Sequence, residues 1–201
     1  MTSVLVTSVL VLASASPRRL ELLRQIGLVP DRVDPAAIDE TSRRDEEPRA
    51  YVLRLAEEKL RTVLPRHPGA YVLAADTAVA CGRRILPKPE DEAAARRCLE
   101  LLSGRRHRVH SGIALGCPDG RLALRRVDSR VGFKRLSRDE IAAYLASGEW
   151  RGKAGGYAIQ GRAAALIRFI SGSYSNVVGL PLFETAQLLA GRGYRLPCAA
   201  S

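Results

Sequence analysis

Val72-Leu73-Ala74-Ala75-Asp76-Thr77 ends an apolar run on a carboxylate, and open α/β sheets build their sites at the ends of such strands. A carboxylate there can hold a divalent cation or orient a water for attack on phosphorus, although a lone aspartate in this position is more often a turn or capping residue. Glu40, in Ile38-Asp39-Glu40-Thr41, is a second possible metal ligand. Complementary cations lie elsewhere in the chain. Ser14-Ala15-Ser16-Pro17-Arg18-Arg19 puts two guanidiniums at a helix start, where free N–H groups and the dipole favour an anion. Cations in that position oppose the dipole unless an anion sits between them. Lys88 is held between Pro87 and Pro89 as a cation on a stiff arm. The glycine-rich run from Lys153 to Gly161 permits close backbone approach to a ligand. Its Gln160 presents a donor and an acceptor together, as recognition of a pyrimidine requires. Together these residues make a phosphoryl-transfer inventory, with the spacing of neither a Walker loop nor a dinucleotide fingerprint.

Strands and helices that alternate along the chain must position these groups. Val4–Ala13 reads as a buried strand, and Ser16-Pro17 as the cap and first residue of a helix stopped by Gly27. A short strand is expected at Val29–Val33, followed by a polar segment from Asp34 to Glu47 and a helix from Pro48 to about Leu64. Lys59 falls on the apolar stripe of that helix with Val52, Leu55, Ala56 and Val63, and by this pattern alone it snorkels to the rim. Tyr71–Cys81 is a strand that turns at Gly82 into Ile85-Leu86. A helix from Glu90 to Leu102 precedes strands at Val109–Leu115 and Leu122–Phe133. Ser137 caps a short helix to Ala146; a strand at Ala164–Ile170, a turn at Ser171–Ser175 and a helix from Pro181 to Leu189 follow. The interleaving predicts an α/β class with a mixed sheet in one domain, residues 1–201, with residues 1–11 extending the first strand.

Composition narrows the function classes. A net charge of +11 attracts polyanions, so phosphorylated small molecules and nucleic acid are both candidates. Only 5% of residues are aromatic, and no basic–aromatic stacking strip of the kind that binds single strands is present. Only four of the 32 basic residues are lysine: Lys59, Lys88, Lys134 and Lys153. In so arginine-rich a chain, lysine is expected to persist where a compact ammonium is needed. Cys81, Cys98, Cys117 and Cys198 form no metal-binding spacing and read as reduced apolar residues of a cytoplasmic protein. His107 and His110, three apart in a strand, face opposite sides and share no metal. No stretch is long enough for a membrane span, and no basic residue precedes Arg18 to make a signal sequence. The pentapeptide TSVLV occurs twice, at Thr2–Val6 and Thr7–Val11.

In order along the chain, these motifs resemble those of the Maf nucleotide pyrophosphatases. The similarity runs from Leu12 to about Leu189. It rests on Leu12–Arg19, Ile38–Thr41, Ala56–Lys59, Ala75–Thr77, Leu86–Pro89, Leu102–Gly104, Ala154–Gly161 and Asn176–Leu182. The resemblance implies a mixed sheet with flanking helices and two lobes around a cleft, similar to the inosine-triphosphate pyrophosphatases, and usually a homodimer. It implies hydrolysis of a nucleoside triphosphate to monophosphate and pyrophosphate with Mg²⁺ or Mn²⁺. By position, Asp76 matches the proton acceptor, and Glu40 and Asp76 match the metal ligands. Ser14, Arg19, Lys59 and Lys88 match the phosphate-handling set. Arg18, Thr77 and Gln160 resemble the branch acting on dTTP and UTP, whereas the branch preferring 7-methyl-GTP typically carries Trp, Gln and Glu there. Two departures stand out: Ser111 precedes Gly112 where threonine is commoner, and Arg162-Ala163-Ala164 replaces a glycine-containing run.

Overall fold

The computed structural model describes residues 8–197. Seven strands form one mixed sheet in the order β2-β1-β3-β5-β6-β7, with β4 beside β3. In chain order the elements are β1 (Leu10–Leu12), α1 (Pro17–Gln25), β2 (Arg32–Val33), α2 (Pro48–Val63), β3 (Tyr71–Cys81), β4 (Arg84–Leu86) and α3 (Glu92–Leu102). After these come β5 (Arg106–Gly116), β6 (Leu122–Phe133), α4 (Arg138–Ala146), β7 (Ile167–Ser171), α5 (Tyr174–Val178) and α6 (Leu182–Ala190).

β3 and β5 pair antiparallel from Val72↔Gly116 to Ala80↔Arg108 and carry the sheet through both halves of the molecule. In one half, each face buries a helical layer. Ala56, Leu60 and Val63 of α2 pack on Val11, Val72, Ala74 and Ala114. On the opposite face, Leu22 and Leu23 of α1 and Leu189 of α6 pack on Leu12, Leu73, Ala75, Ile113 and Leu115. Burial on both faces is why Tyr71–Cys81 reads as a nearly unbroken apolar run rather than an alternating one. The other half has its own core, where Leu99 and Leu102 of α3 and Ile141, Tyr144 and Leu145 of α4 meet Val79, Val109, Val131 and Phe133. The sheet therefore passes between two separately packed regions.

The opening between these regions follows from strand pairing. β5 borders one edge of β3 along its length, while on the other edge β1 pairs with Tyr71–Leu73 and β4 with Val79–Cys81. Among the described residues, the stretch between, which includes Asp76 and Thr77, has no strand partner on that side. Asp76 is thus a mid-strand residue at a gap in the sheet, not the strand-end or capping residue that the pattern suggested. Gly112, its partner across the ladder, has a packing reason: a Cβ there would come within 2.2 Å of the Val52 carbonyl oxygen of α2.

Several other expectations shift at their edges. Within the described residues the first strand spans Leu10–Leu12, and the part of its expected range that falls in residues 1–7 lies outside the described residues. Val29–Val33 contracts to Arg32–Val33, since Pro30 has no N–H to give a ladder. The last strand starts at Ile167 because Arg162–Leu166 forms a 3₁₀ turn. The expected turn at Ser171–Ser175 runs instead into α5, capped by the Ser173 hydroxyl.

Candidate active site

All nine residues singled out from the sequence line one cleft of about 390 Å³: Ser14, Arg18, Arg19, Glu40, Lys59, Asp76, Thr77, Lys88 and Gln160. Successive residues of β3 divide its floor, because neighbouring side chains on a strand point to opposite faces. Asp76 points to the α2 face, and Thr77 to the face packed by α1.

On the α2 face, Lys59 departs from the snorkelling expectation and is buried. Its Nζ lies 2.7 Å from Oδ1 of Asp76 and 2.7 Å from Oε1 of Glu40. Burying an ammonium is tolerable only with such partners. Lys88 donates to the other Glu40 oxygen at 3.1 Å. Burial would push the Glu40 carboxyl up, but hydrogen bonds and charge from Lys59 and Lys88 outweigh this and bring it down to about 2. α2 itself fixes the segment that delivers Glu40. Tyr51 donates its hydroxyl to the Glu40 carbonyl at 2.8 Å, and Arg54 bonds the Thr41 carbonyl and both oxygens of Glu46.

On the α1 face, Arg19 is buried and spends its guanidinium on neutral oxygens. Nε donates to the Gly179 carbonyl at 2.9 Å, Nη1 to Ser14 Oγ at 3.0 Å and Nη2 to Thr77 Oγ1 at 3.3 Å. Burial lowers its pKa, against the opposing pull of Asp76 and Glu40. Thr77 Oγ1 also bonds Ser111 Oγ at 2.9 Å, so the serine before Gly112 still supplies the hydroxyl that a threonine would. Ser16 is the N-cap of α1, but its side chain makes no capping bond. Its N–H instead donates to Ser14 Oγ.

The loop from Lys153 to Gly161 forms the remaining wall, and three contacts fix it. Gly155 N–H donates to the Pro87 carbonyl at 3.1 Å, Tyr157 Oη pairs with His107 Nε2 at 2.7 Å, and Ala158 N–H donates to Tyr144 Oη at 3.0 Å. Gly155 has φ +68, and a Cβ there would lie 2.8 Å from Val79 Cγ1, so this turn needs glycine. Gln160 is exposed, with its amide available.

Sequence reasoning missed Arg151 and the Gly179 carbonyl that joins Arg19 to Thr77, and it placed Lys153 at the head of the glycine-rich run without a role of its own in the cleft. The scarcity of lysine and the glycine-rich run were the available signals for Lys153. The two histidines behave as their spacing implies: His107 meets Tyr157 and His110 meets Asp128, apart from one another. Cys98 and Cys117 are buried free thiols, Cys81 is partly buried, and Cys198 lies outside the described residues.

Among known proteins, a dTTP/UTP pyrophosphatase from Rhodospirillum rubrum is 68% identical over 186 residues, spanning 92% of this chain and 89% of that protein. One of the same name from Caulobacter vibrioides is 64% identical, over 92% of this chain and 96% of its own. Among solved structures, a HAM1 protein from Coxiella burnetii shares 18% identity with a TM-score of 0.43, covering 65% of this chain and 75% of its own. The family model for Maf-like proteins matches residues 9–192, nearly all of the described chain. With that match and those identities, the chain belongs to the Maf-like protein family.

Proposed function

We propose that this protein hydrolyses dTTP and UTP to the nucleoside monophosphate and pyrophosphate. The observation that carries the reading is the convergence of nine residues, spread from Ser14 to Gln160, on one cleft. The cleft is lined by six cationic side chains and two carboxylates, a net charge of +4. A triphosphate tail carries roughly −4, about −2 on the terminal phosphate and about −1 on each inner one. The relatives' names supply the substrate class.

The donor set fits a divalent cation that arrives with the nucleotide. Two hard carboxylates face the cleft, and no group of three or more His, Cys, Asp or Glu side chains placed to hold a metal occurs among the described residues. Mg²⁺ is characteristically held in this way, by one or two carboxylates plus substrate phosphates. Glu40 and Asp76 would hold the Mg²⁺ or Mn²⁺, which when bound neutralises charge on the polyphosphate.

The protein's own groups perform the other tasks. Asp76, its carboxylate oriented by Lys59, takes a proton from the attacking water as the new bond to the α-phosphorus forms. The bond from that phosphorus to the bridging oxygen breaks, and pyrophosphate leaves with the electron pair. Lys59 and Lys88 offset the charge that grows on the leaving group. Thr77 and Gln160 select the base, Arg18 influences that preference from among the cations that hold the tail, and Arg19 and Ser14 tie α1 to the Gly179 turn and shape the phosphate wall. A cytoplasmic location is part of the proposal, and no described helix is long and apolar enough to cross a membrane. The homodimer is part of the same proposal. Phe183 and Tyr174, on consecutive helices, are 71% and 50% exposed, and sedimentation velocity tests whether they are covered.

The test of function is pyrophosphate release from dTTP, UTP, CTP and 7-methyl-GTP, with Mg²⁺, with Mn²⁺ and with chelator. Release from dTTP and UTP at least tenfold above the others, and lost on chelation, is the expected result. Preference for 7-methyl-GTP overturns the base assignment, and no release from any triphosphate overturns the reaction.

A further inference from the structure

The six cations of the cleft are not equivalent. Lys59 and Lys88 are paired with Glu40 and Asp76, and Arg19 is committed to Ser14, Thr77 and the Gly179 carbonyl. The Arg151 guanidinium lies over the Trp150 ring, 4.6 Å from its centroid. Arg18 and Lys153 remain, with no ion pair within 4.0 Å among the described residues. The Nζ of Lys153 makes one bond, to the Arg151 carbonyl at 3.2 Å, and both side chains are partly buried. Burial, and then the charge of Arg18, lower the pKa of Lys153 against a smaller opposing pull from Glu149; burial, and then Arg19, lower that of Arg18. The fold thus gathers like charges against solvation and repulsion with no carboxylate in ion-pair contact, since Glu149 turns to the Arg162 N–H, an arrangement that an anion would relieve.

The backbone that carries Lys153 is held rigidly. The Gly155–Pro87 hydrogen bond ties its loop to the arm of Lys88, and Tyr157 and Ala158 anchor it to His107 and Tyr144. Lys88, Lys153 and Gln160 are therefore presented from one connected piece of structure. Beside Asp76 and Glu40, phosphate oxygens must compete with carboxylates for Lys59 and Lys88. Beside Arg18 and Lys153 they meet cations with no carboxylate within 4.0 Å among the described residues.

We propose that Lys153, with Arg18, forms a separate polyphosphate subsite that binds the part of the tail leaving as pyrophosphate. Lys153 is then itself a binding residue at the head of the glycine-rich run, and its loop joins the grip on the tail to the selection of the base by Gln160. This rests on the pyrophosphatase reading, because it names which phosphates occupy which cations.

The test compares the wild-type chain with Lys153→Met and Lys153→Arg. Calorimetry in Mg²⁺ measures binding of inorganic pyrophosphate and, separately, of thymidine monophosphate. Loss of one charge-assisted contact should weaken pyrophosphate by about tenfold or more in Lys153→Met, and leave the monophosphate within about twofold. Lys153→Arg should recover most of the pyrophosphate affinity. In turnover of dTTP, KM should rise in Lys153→Met by more than kcat falls. Unchanged pyrophosphate binding in Lys153→Met overturns the proposal. So does equal weakening of both ligands, because a distorted loop would produce it. The outcome is separable from that of the functional reading: a wild-type chain that releases no pyrophosphate from triphosphates sinks the reaction, whatever this binding comparison gives.

Discussion

The Nζ of Lys59 lies 2.7 Å from Oδ1 of Asp76, and the two side chains are 8% and 9% exposed. One ammonium also serves Glu40, so the carboxylate assigned as the base is held by a cation reaching down from α2. Removing either partner should therefore have different consequences. Asp76→Asn keeps an oxygen for Lys59 and removes the proton acceptor. Its thermal midpoint should stay within a few degrees of wild type, while kcat falls at least about a thousandfold. Lys59→Met leaves two carboxylates near one another without their shared cation and should lose roughly 3 kcal/mol of stability or more. Thermal melts with steady-state turnover separate the cases. Near-wild-type kcat in Asp76→Asn removes Asp76 from the chemistry.

The same ammonium competes with a divalent ion for carboxylate oxygens. Lys59→Gln should bind Mn²⁺ without nucleotide at least about tenfold more tightly than wild type, roughly 1.4 kcal/mol, because a positive charge has left the site. The free-Mn²⁺ signal in electron paramagnetic resonance reads this directly. Equal affinity in the two proteins would place the ion away from Glu40 and Asp76.

Gly112 sets how closely α2 approaches the sheet. A Cβ would meet the Val52 carbonyl oxygen at 2.2 Å and the Leu53 nitrogen at 2.9 Å, and backbone cannot move aside as a flexible side chain can. Gly112→Ala should push the helix outward at the residue paired with Asp76, costing about 1–3 kcal/mol and loosening the Lys59 contact. Both Tm and kcat should fall. A variant with unchanged Tm shows that α2 has slack, and the close-packing account then fails.

Much of this was legible in the chain where local signals agree. Tyr71–Cys81 is bounded as its apolar run implies, and Ser137 caps α4 as expected, with Glu140 completing a capping box. α5 was not legible, because five residues are too few for a helical period and Ser173 and Ser175 read as turn residues. Lys59 shows the deeper limit. Its place on an apolar stripe was plain, but whether such a lysine snorkels or is buried depends on Glu40 and Asp76, 19 and 17 positions away along the chain. No local pattern encodes a partner that only folding brings within 2.7 Å. Gly179 is invisible for the same reason: its role is a backbone carbonyl aimed at Arg19 and Thr77.

His107 gives the protein an acid-sensitive loop anchor. Burial lowers its pKa to about 4, from the ordinary 6.5. Its Nε2 meets Tyr157 Oη at 2.7 Å, and its buried Nδ1 has no partner, so a second ring proton would find no acceptor. Above pH 6.5 the ring is neutral in both folded and unfolded chains, and its stabilising contribution is complete. Between pH 6.5 and 4 the unfolded chain takes up a proton that the folded chain refuses. Stability should then fall by about 1.4 kcal/mol per pH unit, roughly 3 kcal/mol across the window. His107→Gln keeps a polar partner for Tyr157 and cannot titrate. Its Tm should be nearly flat from pH 6.5 to 5, where the wild-type Tm declines. Parallel Tm profiles in the two proteins would show that His107 is not the group responsible.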